Sequence, residues 1–322
     1  MWCFNLQGFF SLSLFIISLF GLSLASLTDL KQRIVPNKLS FFLLIGGLFL
    51  HGTWSILQGN AQAIFYSTFA MAYSFLLAYA LYKVGVWAGG DVKLFAAIAA
   101  LNPLNPFVAK PLLDAYGFKI SHNANPFFPI ELFVFTIFAM IPVSFAIILK
   151  RAEKKIRRKL IFLLIMMAAI LSPFFLLNVD PYYTTVFALA MLSYLIIACL
   201  PLARVLFVKE KKITELEEGD ICGESIKLVR GKVVREKGFN MRMLINYLVQ
   251  YKSGELAKGN EIVSPLKARG VTLEEISKLK ELVAKGKTEN RILVKESVPI
   301  VPAMLLAYLV LNLLGDLLWM PL

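Results

Sequence analysis

The chain has 322 residues, 58% of them hydrophobic, a formal net charge of +13 and a mean hydropathy of +0.70. Soluble domains are roughly 45–50% apolar, so the composition excludes an ordinary globular enzyme and selects a polytopic membrane protein. In such a chain the surplus lysine and arginine marks cytoplasmic loops, and nucleic acid is not an expected partner.

A spanning helix needs about 20 mostly apolar residues. The runs 9–28, 39–57, 62–84, 92–108, 129–149, 160–178, 182–207 and 298–319 reach or approach that length. Met1-Trp2-Cys3-Phe4-Asn5 lacks a basic n-region, so the first run reads as a retained span. Asn102-Pro103 and Asn105-Pro106 should end the fourth helix early, giving a short or broken span buried among its neighbours. Residues 208–297 are polar and too long for a simple loop. Within them Ile221–Val234 alternates like a hairpin, and Phe239–Tyr251 reads as a helix. Thr272-Leu273-Glu274-Glu275 has the form of a capping box before Ile276, Leu279 and Leu282 at helical spacing. The expected fold is an all-α polytopic membrane protein of about eight transmembrane helices, with a small cytoplasmic α+β module before the last. Residues 1–207 would be the membrane core with about seven spans, 208–297 the module, and 298–322 the final helix.

Charge orients the chain. Outside 208–297 there are fifteen Lys and Arg, and an outside N-terminus puts thirteen of them within, leaving only Lys110 and Lys119 without. The same portion holds seven acids: Asp29, Asp91, Asp114, Glu131, Glu153, Asp180 and Asp316. Four (Asp114, Glu131, Asp180, Asp316) fall outside, and Glu153 sits in the basic loop Lys150–Lys159. Asp29 and Asp91 remain, flush against apolar helices at the inner face. Ionisable groups so placed are costly and are functional candidates by default.

Each aspartate also has a plain structural explanation. Asp29 could pair with Lys31 or Arg33, and Asp91 could cap a helix after a glycine turn. Together they suit hydrolysis. Two carboxylates about 3 Å apart cannot both ionise easily and share a proton. The ionised member takes a proton from water while the protonated one polarises the scissile carbonyl. Such a dyad titrates as a unit, so neither role is assigned to one residue. Gly89 and Gly90, next to Asp91, permit positive φ and a close backbone approach.

Asp29-Leu30-Lys31-Gln32-Arg33-Ile34-Val35-Pro36-Asn37 after the first span, with Gly89-Gly90-Asp91-Val92-Lys93-Leu94 before the fourth, resembles the prepilin and preflagellin peptidases. These are membrane aspartic proteases of the GxGD type, and the resemblance covers roughly residues 9–200. It implies Asp29 and Asp91 as catalytic residues. It also implies cleavage at the cytoplasmic face of the cell membrane, before the hydrophobic segment of class III signal peptides on pilin- or flagellin-like precursors. Ala88 replaces the first glycine of the pattern. Bacterial relatives often carry a cysteine-rich zinc insertion linked to amino-methylation. No such cysteines lie between the first two spans here, and the lean form looks like the archaeal branch.

No cofactor is expected. Cys3, Cys199 and Cys222 form no C-x-x-C, and the only histidines, His51 and His122, are expected on the outer side as interfacial or loop residues, away from both aspartates. The basic run 150–159 chiefly marks topology, with anionic membrane lipid a second partner for it. The acidic run Glu215-Leu216-Glu217-Glu218-Gly219-Asp220 could receive a basic leader. The alternative function is an ion-coupled transporter with the carboxylates as a proton relay, although the acids lie at span ends and no inverted repeat is visible. A third reading, an assembly scaffold, requires the aspartates to be dispensable.

Overall fold

The computed structural model describes residues 6–84, 87–107, 109–110, 126–176, 208–229, 232–237, 261–264, 270–295 and 298–315. The helices are α1 (Leu6–Gln32), α2 (Asn37–Gln58), α3 (Gln62–Val84), α4 (Gly89–Leu101), α5 (Phe128–Arg151), α6 (Lys154–Leu176), α7 (Leu273–Ala284) and α8 (Val301–Leu314). The strands are β1 (Val208–Lys211), β2 (Ile221–Cys222), β3 (Glu224–Val229), β4 (Lys232–Lys237), β5 (Glu261–Val263) and β6 (Ile292–Lys295). The chain forms two compact units, one of residues 1–140, 266–270 and 298–322, the other of 141–265 and 271–297.

Among the described residues four helices, α1, α2, α3 and α5, are long and apolar enough to cross a membrane. The expected span 182–207 and the expected helix 239–251 lie outside the described residues. The basic segment expected as a loop is mostly helical: only Ala152 and Glu153 separate α5 from α6, and Lys154–Lys159 open α6.

In the first unit α4 is the central element. It has 13 residues, so it is about 20 Å long, short of a roughly 30 Å hydrocarbon core. As its Asn-Pro pairs require, it stops at Leu101, and every residue from Leu94 to Leu101 is buried. Packing against α2 is backbone to backbone: a Cβ on Gly47 would lie 2.8 Å from the Leu101 nitrogen. A helix ending inside apolar surroundings must satisfy its last carbonyls locally. Side chains do so here. The Ser67 hydroxyl donates to Ala100 O at 2.6 Å, and His51 Nε2 lies 3.0 Å from Leu101 O. His51 is therefore a buried helix-end partner rather than the interfacial residue its position suggested. Asn102 donates to Ser18 Oγ at 2.7 Å and accepts from the Tyr308 hydroxyl of α8 at 3.1 Å. Glu131, expected at the outer surface, is also fully buried, in the first turn of α5.

The second unit contains two antiparallel three-stranded sheets, ordered β1-β6-β2 and β4-β3-β5. The β3–β4 hairpin falls where alternation anticipated one. Ile213, Leu216, Cys222, Ile226, Val263, Val271, Ile276, Leu279 and Ile292 form its core. The capping box is present at α7: Thr272 Oγ1 accepts from Glu275 N and Glu275 Oε2 accepts from Thr272 N. Glu224 is buried in this unit and held by Arg235 through two hydrogen bonds of 2.7 and 3.1 Å. Asp220 is engaged by Lys211 at 2.8 Å and by Glu217 N at 2.9 Å, so this end of the acidic run is spent on its own turn. That pairing raises the Lys211 ammonium above its ordinary range.

Candidate active site

Two helix ends build the site, and packing between the segments beside them locks them together. Helix α1 runs about one turn past Asp29, so the aspartate lies on the helix rather than at the start of a loop. The helix closes where Arg33 N donates to Asp29 O at 3.0 Å. Arg33 has φ 57°, the left-handed conformation that glycine ordinarily supplies at helix ends. The chain turns through Ile34 and Val35, and α2 begins after Pro36.

Val35 is buried and presses on Gly90. A Cβ on Gly90 would lie 3.1 Å from Val35 Cβ, tighter than side chains normally accept. Lys93 Nζ donates to Asn37 Oδ1 at 2.8 Å, a second tie between the same two segments. Gly90 thus serves close approach and not positive φ. Neither it nor Gly89 has positive φ, and at Gly89 a Cβ would meet only Tyr82 at 3.8 Å, an ordinary contact. Ala88 precedes α4 with φ −83°, an extended conformation open to any residue, so the alanine in the first motif position needs no special accommodation.

Asp91 stands three residues into this helix start, not at the cap itself. Its Oδ2 accepts from Ala88 N at 3.1 Å, the side-chain-to-backbone half of a capping box. Asp29 Oδ2 accepts from Val301 N, the first residue of α8, also at 3.1 Å. Both carboxylates are nearly sealed, with Asp29 6% and Asp91 7% exposed, although each lies within a turn of a helix end. The Asp29 carboxylate lies within electrostatic range of Asp91, and Arg33 acts on Asp29 in turn. Sequence reasoning singled out both aspartates and both glycines as candidates, and the structure places them on these two segments. It missed Val301: Pro302 marks a helix start there, but nothing local says which group that helix end meets.

Two buried acids with their backbone donors already seated can exchange a proton with a water and with a carbonyl between them. Among the described residues no three His, Cys, Asp or Glu side chains converge as a metal site.

Residues 16–149 match the type IV leader peptidase family, and residues 184–294 match the archaeal peptidase A24 C-terminal domain. The chain is 25% identical to the prepilin peptidase EppA of Methanothermobacter thermautotrophicus over 94% of each chain. It is 24% identical to the prepilin peptidase EppA of Methanocaldococcus jannaschii over 93% of this chain and 96% of that one. The preflagellin peptidase of Methanococcus maripaludis is 28% identical over 45% of this chain and 61% of its own.

Proposed function

We propose that this chain, whose residues 16–149 match the type IV leader peptidase family, removes leader peptides from pilin- or flagellin-like precursors by water activation on Asp29 and Asp91. The observation that carries the reading is the burial of two carboxylates on segments interlocked through Val35 and Gly90. One acid of the couple takes a proton from water while the other, protonated, hydrogen-bonds the scissile carbonyl; after attack the proton passes to the leaving amine. The couple acts as one titrating unit, with neither role fixed to one residue.

The positive-inside distribution supports a cytoplasmic site with the N-terminus outside. A class III leader would then reach the acids from the cytoplasm, with the precursor's apolar segment alongside the helices in lipid. Holding the bond against the couple is worth several kcal/mol of barrier by itself. The division into a peptidase core over 1–207, a module over 208–297 and a final helix over 298–322 belongs to this reading.

The test is co-expression with a candidate precursor and mass determination of the new N-terminus. Asp29→Asn and Asp91→Asn should each abolish processing while the protein accumulates in membranes. Full processing by either variant would remove the dyad from the mechanism.

A further inference from the structure

We infer that Val301 is a positioning residue of the acid pair: its peptide N–H, at the open end of α8, fixes Asp29 from a segment outside both family matches. The inference rests on the hydrolytic reading above. The matched segments end at residue 294, and α8 begins at Val301.

Three observations carry it. The first is the hydrogen bond itself: Val301 N donates to Asp29 Oδ2 at 3.1 Å across 272 residues of sequence. Both partners are buried, with Val301 fully inaccessible. The second is that the donor is available by construction. The first peptide N–H of a helix has no intrahelical acceptor, and the aligned peptides behind it favour a negative group at that end. The third is that α8 is anchored along its whole length. Tyr308 is fully buried, stacks on Phe15 with ring centroids 5.8 Å apart, and bonds Asn102. Asn105 Nδ2 donates to Leu311 O at 3.1 Å, and Ala109 N donates to Asn312 O at 3.4 Å. A helix fastened to α1 and to the residues following α4 can hold its first N–H at a constant place.

The bond ties Oδ2 of Asp29 and directs Oδ1 to the partner acid or to water. Without it the carboxylate can rotate, and the fraction of time the couple spends in a productive arrangement falls. Binding of the precursor's apolar segment does not involve Val301, so turnover should suffer and recognition should not.

The experiment uses the full-length chain in detergent or membranes and a recombinant pilin-like precursor that the wild type cuts. Val301→Pro removes the N–H but also disturbs Ile300, whose helical φ −87° and ψ −34° a following proline disfavours, and Val301→Ala keeps the N–H. A backbone ester at residue 301, made with the α-hydroxy analogue of valine, removes the N–H and keeps the side chain, while weakening Ile300 O, which accepts from Met304 N. A matching ester at Ala303, also in the first turn of α8, controls for the weakened carbonyl. We expect the 301 ester to lower kcat about tenfold with KM within twofold. Val301→Ala and the 303 ester should behave as wild type. If Val301→Pro fails to accumulate, the ester form decides. Wild-type kcat in the 301 ester, alongside an inactive Asp29→Asn, would overturn the role of Val301 alone. Full activity of Asp29→Asn would overturn the hydrolytic reading itself.

Discussion

Both units bury a carboxylate, and they treat it in opposite ways. In the second unit Glu224 is gripped by the Arg235 guanidinium through two nitrogens and accepts a third bond from Leu293 N at 2.8 Å. Arg235 is held in turn by Arg291 O at 2.6 Å. Charge and hydrogen bonding are both satisfied, which is how a buried acid serves structure. In the first unit Asp29 and Asp91 lie in range of each other, each anchored by a backbone N–H, in apolar surroundings. A fold seeking only stability would not bring acid to acid. The contrast separates a carboxylate that builds from a pair that, on the proposed reading, reacts.

Substitutions should sharpen that contrast. The largest effect is expected at the pair: Asp29→Asn or Asp91→Asn should cost about 10²–10⁴-fold in cleavage rate, with little change in hydrogen exchange of the β3–β4 hairpin. Next comes Glu224→Ala, which leaves Arg235 without its buried partner. It should destabilise the second unit by about 3–5 kcal/mol, seen as loss of exchange protection in β3, β4 and β6. Equal damage from both kinds of change in both assays would erase the distinction. Gly90→Ala should push Val35 away and strain the loop by about 1–3 kcal/mol. That should slow cleavage, whereas Gly89→Ala should leave it unchanged. The smallest effect is expected at Thr272→Ala, about 1 kcal/mol from the lost cap of α7, measured as easier opening of that helix.

Local features were legible in the sequence to the extent that local chemistry determines them. Thr272 and Glu275 form the expected box because both partners lie within one turn. Asn102-Pro103 ends α4 because proline cannot continue a helix. The two aspartates stood out because few acids interrupt apolar segments. Other assignments turned on distant contacts. For Gly90 the sequence left positive φ and close approach both open, and only the position of Val35, more than fifty residues earlier, selects close approach and names the neighbour. His51 looked interfacial because the carbonyl it meets, Leu101 O, comes from a helix fifty residues later. The limits of α1 were missed because Arg33 closes it in a conformation for which glycine, not arginine, is the usual signal.

The order of synthesis adds a consequence to the bond between Asp29 and Val301. In that order the aspartate precedes its donor by 272 residues. A chain cut off before α8 would carry both acids yet lack this anchor. On the hydrolytic reading such a chain would cut more slowly than one that holds α8, so the pace of cleavage is linked to the presence of a helix far along the chain.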